Sequence, residues 1–130
     1  MLGTDNRVIE LELPAQPSIV GTARDATREL RGPLDAETFE AVQLVVSELV
    51  TNAIRHSGVA AEDTIRLRVA VRDDSVLAEV SDTGSGFRAP SPPTPRGIAG
   101  GFGLFLVDRL ADRWGVSTED GTLVWAELHR

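Results

Sequence analysis

Hydrophobic and polar positions change period several times along the chain, and each change marks an element. Arg7 to Leu13 alternates Val8, Glu10 and Glu12 against Ile9, Leu11 and Leu13, which predicts a strand. Pro14 ends it, and Pro17 suits the first turn of a helix running to about Arg31. Ile19, Val20, Ala23, Ala26, Thr27 and Leu30 form its inner stripe. Gly32 and Pro33 stop that helix. Asp35 then caps a longer one, with Glu37 at its positive end and Leu34 and Phe39 as a hydrophobic staple. Val42, Val45, Val46, Leu49, Val50, Ala53 and Ile54 recur at helical spacing. Carried to Ser57, the helix is about 35 Å long, and Gly58 supplies its stop.

Thr64 to Arg72 returns to period two, with Ile65, Leu67, Val69 and Val71 on one face and Arg66, Arg68 and Arg72 on the other. Asp73 and Asp74 turn the chain into Ser75 to Ser81, its antiparallel neighbour. The apolar rhythm lapses from Thr83 to Gly103, a stretch rich in glycine and proline. A helix from about Gly103 to Arg113 follows, with Leu104, Val107, Leu110 and Ala111 inward. Trp114 to Thr118 and Thr122 to His129, joined through Asp120-Gly121, make a closing hairpin. The order β-α-α-β-β-loop-α-β-β, with hairpins in place of strand–helix alternation, implies an α+β sandwich. Arg66, Arg68 and Arg72 imply that the sheet's other face is wet or meets a partner.

The 130 residues suit one domain with a core of its own, 1–130. No cysteine is present, which removes disulfides, thiol nucleophiles and thiolate metal sites. No apolar run reaches the ~20 residues of a membrane span, and the start lacks a signal pattern, so a cytoplasmic protein is expected. A net charge of −7 argues against non-specific nucleic-acid binding. All 13 basic residues are arginine, so the lysine-dependent P-loop is excluded and any cationic phosphate contact falls to Arg.

Glu48 and Asn52 stand four residues apart in the long helix and project from one side, with His56 a turn further on. A solvated stripe opposite the apolar face and a ligand-facing row both fit this pair. Asp82-Thr83-Gly84-Ser85-Gly86 sits where a strand gives way to loop. It reads either as a plain turn or as an Asp acceptor beside glycines over which a ligand passes. Gly100-Gly101-Phe102-Gly103-Leu104 runs into a helix start, which reads as a hinge or as a phosphate cradle of free N–H groups. Trp114 and Trp125 read as core and hairpin packing.

Helical E-x-x-x-N, strand-end D-x-G-x-G, a proline-rich loop, G-x-G at a helix start and Gly121-Thr122 before the last strand occur in one order. That order resembles the Bergerat-type ATP-binding fold shared by gyrase, the Hsp90 chaperones, histidine kinases and MutL, and covers nearly the whole chain. The stretches SELVTNAIRHSG, VSDTGSGF and GLFLVDRLADRWGV look most like the anti-sigma regulatory serine kinases of bacteria. The resemblance implies a two-layer sandwich of helices on one face of a mixed, mostly antiparallel sheet. It implies ATP and Mg²⁺ as ligands: Asn52 holds the metal, and Glu48 orients or deprotonates the attacking nucleophile. Asp82 accepts from the adenine amino group, supported by Thr122 directly or through water. Gly84 and Gly86 pass over the base, while Gly101 and Gly103, with Phe102 and Leu104 beside them, face the phosphates. His56 touches a phosphate or orders the helix end, and about 83–100 form a lid.

The chain departs from the resemblance at two points, one of them Phe102, bulky and apolar between the two glycines where many relatives carry a polar residue. The studied kinases of this group carry an arginine just ahead of the second glycine motif, where Ala99 and Gly100 stand here. Arg96 is the nearest cation. The implied function is a regulator that phosphorylates a serine on an anti-sigma-factor antagonist and alternates between it and a sigma factor, as a homodimer, without nucleic acid or membrane as partner. The rivals are a non-catalytic nucleotide-dependent switch and a plain structural domain.

Overall fold

The computed structural model describes residues 7–56, 64–82, 104–117 and 122–130. The first strand, β1 (Arg7–Pro14), is followed by α1 (Ile19–Ala26), a 3-10 turn (Thr27–Leu30) and α2 (Ala36–His56). Then come β2 (Thr64–Val71), β3 (Ser75–Asp82), α3 (Leu104–Leu110), β4 (Arg113–Ser117) and β5 (Thr122–His129). The expected order is reproduced. The expected helix to Arg31 breaks into 3-10 geometry at Thr27, whose Oγ1 back-bonds to Arg24 O at 2.6 Å.

The five strands lie in the order β1-β2-β3-β5-β4, and every described pairing is antiparallel. One face carries Ile9, Leu13, Ile65, Leu67, Val69, Val71, Val76, Ala78, Val80, Val124, Ala126 and Leu128, all in one core with the helices. Alternation along each strand puts these side chains on the same side.

The 21 residues of α2 span about 31 Å and lie over β3 and β5, with α1 on one flank and α3 on the other. Its stripe Val42, Val45, Val46, Leu49 and Val50 is 0% exposed. Its start is set as the sequence implies. Thr38 N–H donates to Asp35 Oδ1 at 2.7 Å, and Leu34 and Phe39 on either side of the cap are both buried.

The other face of the sheet holds a charge ladder. Glu12 pairs with Arg66 at 2.8 Å, and Arg68 lies between Glu10 at 3.1 Å and Glu79 at 3.4 Å. The indole of Trp125 covers Gly115 so closely that an added Cβ there would stand 2.9 Å from the ring. Trp114 is half-buried, and its Nε1 donates to Asp108 Oδ1 at 2.8 Å, joining β4 to α3. No described helix is long and apolar enough to cross a membrane.

Candidate nucleotide site

Strand alternation in β3 puts Val76, Ala78, Val80 and then Asp82 on the helix-facing side. Running the other way, β5 places Leu128, Ala126, Val124 and then Thr122 on that same side. The register pairs Asp82 directly with Thr122, and Ile65 of β2 with Asp82. Two rows of core residues therefore end in adjacent polar side chains, 4% and 6% exposed. Burying a carboxylate and a hydroxyl is unfavourable unless something bonds them.

Glu48 and Asn52 lie on α2 as their spacing implies, and both are half-buried. The solvated stripe is thereby set aside for Asn52, because its Oδ1 is buried and meets no hydrogen-bond donor among the described residues. Thr122 Oγ1 is in the same condition. Asp82 is buried too, and it is engaged in an interaction of its own. The oxygens of Asn52 and Thr122 belong to two of the residues that the motifs singled out. Buried oxygens of this kind are rare in native proteins and point to a missing donor, water or ion.

Leu104, the first residue of α3, is 8% exposed and joins the core, and α3 packs against α2. The helix that follows the second glycine motif is thus anchored beside the helix that carries Glu48 and Asn52. His56 is the last residue of α2, and its side chain lies outside the described residues. Gly84, Gly86, Gly101, Phe102 and Gly103, together with the expected lid at 83–100, lie outside them as well.

A carboxamide oxygen is a hard donor of the kind Mg²⁺ takes, so Asn52 Oδ1 fits that ion. Among the described residues no group of three His, Asp or Glu side chains could hold a metal by itself. The ion would therefore draw its other oxygens from phosphate and water. A separate groove of about 280 Å³ lies at the other end of α2, between Arg31, Leu34, Phe39 and Gln43, and no candidate residue lines it.

The sequence pattern of the histidine kinase-like ATPase domain matches residues 13–128. The chain belongs to that family. It is similar to the serine-protein kinase RsbW of Oceanobacillus iheyensis, 30% identical over 89% of this chain and 82% of the relative. It is also similar to the serine-protein kinase RsbW of Listeria monocytogenes, 28% identical over 95% of this chain and 87% of the relative. The α+β architecture, five antiparallel strands under three helices, is that expected of the family. An ATPase domain has ATP as its ligand.

One feature of α2 escaped the sequence reading. Leu44 lies off the apolar stripe, on the row of Glu48 and Asn52, and is 47% exposed. Helical phase was the signal that could have found it.

Proposed function

We propose that this chain is a regulatory kinase that transfers the γ-phosphoryl group of Mg·ATP to a serine of an anti-sigma-factor antagonist. The observation that carries the reading is the pair of buried oxygens, Asn52 Oδ1 and Thr122 Oγ1, that meet no hydrogen-bond partner among the described residues of an ATPase-family chain. The relatives' name, serine-protein kinase, supports transfer to serine.

In this mechanism Asp82 accepts from the exocyclic amine of the base, and Thr122 Oγ1 bonds the base directly or through one water. Asn52 Oδ1 holds Mg²⁺, which when bound neutralises charge on the phosphates. Gly101 and Gly103 place backbone donors on those phosphates, and 83–100 close over them as a lid within one domain, 1–130. Glu48 takes the proton of the serine hydroxyl as its oxygen forms the new bond to the γ-phosphorus. The bond from that phosphorus to the β–γ bridging oxygen breaks, and ADP leaves. The chain works in the cytoplasm as a homodimer and holds either the antagonist or a sigma factor.

The test is incubation with γ-labelled ATP and the antagonist protein of the same genome. Label on a serine of the antagonist is expected, and Glu48→Ala is expected to slow it about 100-fold or more. No label with wild type, or equal label with Glu48→Ala, sinks the reading. Sedimentation equilibrium at the monomer mass would remove the homodimer.

A further inference from the structure

The described helices all pack on one side of the sheet, and strand alternation leaves the other side as a broad face of its own. The register sets its pattern in rows that cross the strands. Val8, Ala70 and Leu77 stand side by side and continue into Glu127 and Arg113. The next row is Glu10, Arg68, Glu79 and Trp125, and the one after is Glu12, Arg66, Ser81 and Leu123. Ala70 is buried, and Leu77, Trp125 and Leu123 are half-buried. An apolar band therefore runs diagonally across the face, from Val8 at one edge, 55% exposed, to Leu123.

The charges beside that band are matched within the sheet. Glu12 meets Arg66, Arg68 meets Glu10 and Glu79, and Arg113 meets Glu127 at 3.7 Å. Four carboxylates against three guanidiniums leave a net of −1, where the whole chain carries −7. Two copies of so acidic a chain repel each other on approach. On this face the repulsion is nearly cancelled, and its paired charges make no demand for an oppositely charged partner. Its size fits as well. Five strands of up to eight residues cover about 24 by 26 Å, and two such faces in contact bury about 1,200 Å², the lower end of what stable dimers use.

We infer that a second copy of this chain packs on this face, sheet against sheet. The inference rests on the homodimer in the reading above and names its interface, and it does not depend on phosphoryl transfer. Side chains of two facing sheets interdigitate across about 10 Å, and β3 is the middle strand of the five, so Leu77 lies near the centre of the contact. Asp82 and Thr122 lie on the helix side, away from this face. The mixture of apolar and charged side chains is that of an interface that dissociates on dilution.

The experiment is sedimentation equilibrium of the full chain over a wide concentration range. Leu77→Arg and Val8→Arg are compared with Thr22→Arg, an exposed position on α1 in the other layer. A dimer is expected for wild type and for Thr22→Arg. Leu77→Arg raises the dissociation constant about tenfold or more, because two new guanidiniums enter one contact. Val8→Arg weakens the dimer in the same direction from an exposed site, so it decides the matter if a thermal melt shows Leu77→Arg unfolded. Wild-type dimerisation in both face variants, or an equal loss in Thr22→Arg, overturns this interface while the homodimer stands. Wild type at the monomer mass at every concentration removes interface and homodimer together, and the labelling assay reads the kinase function separately.

Discussion

Asn52 is a poor residue for a core helix and a good one for a ligand. Its Oδ1 lies buried without a hydrogen bond among the described residues, a condition that costs about 1–3 kcal/mol. Asn52→Ala removes that cost in the ligand-free protein. The expected outcome is a melting temperature equal to or above wild type, together with a Mg·ATP affinity about tenfold lower or worse. Calorimetric titration and a thermal scan on one sample check both halves. A lower melting temperature with intact binding would make Asn52 a structural residue. The spacing of Glu48 and Asn52 was legible in the sequence because helical geometry alone puts them on one side. That the amide oxygen meets no donor among the described residues was not legible, because it depends on what the neighbouring elements bring.

Helix α2 begins where its cap directs. The Asp35 carboxyl is held below its ordinary value of 3.8, first by the Thr38 backbone N–H and then by the Thr38 side chain. A depressed carboxyl contributes stability above its unfolded value, and that contribution fades as pH falls through its folded value. Asp35→Ala is therefore expected to lower the melting temperature at neutral pH, with the gap closing well below pH 3.8. Asn at this position keeps a cap without the charge, so Asp35→Asn should lose less at neutral pH. Melts across pH check the sign, and a gap that widens in acid would refute it.

The strands were legible from their period, but the role of the arginine face was not. Arg66 and Arg68 meet Glu12, Glu10 and Glu79 across the sheet, a register that the sequence does not contain. Arg68 keeps 37% of its side chain exposed, so solvent screens its two pairs. Arg68→Met is expected to change stability by less than about 1 kcal/mol, read by urea unfolding. A loss of several kcal/mol would show that the ladder holds the sheet.

At the scale of the whole molecule, neighbouring residues on α2 lie in different surroundings. Leu49 is 0% exposed in the core, while Glu48 is half-buried on the row of Asn52. Leu49→Ala is expected to cost about 2–5 kcal/mol, a large share of a domain's ~5–15 kcal/mol, and to weaken nucleotide binding only as far as it unfolds the chain. Glu48→Gln should leave the unfolding midpoint within about 0.5 kcal/mol of wild type and abolish transfer. Denaturant titration and the labelling assay, run on both variants, separate core from chemistry.

The sequence by itself determined the order of elements, the start of α2, the apolar faces and the residues that make an ATP site plausible. Each of these rests on short-range periodicity, capping or turn chemistry. Tertiary structure alone decided that Asp82 stands opposite Thr122, that Arg68 is neutralised from both sides and that Leu44 is left outside. Strand register and the packing of helices on a sheet join residues far apart in the chain, and no local pattern encodes which of them meet.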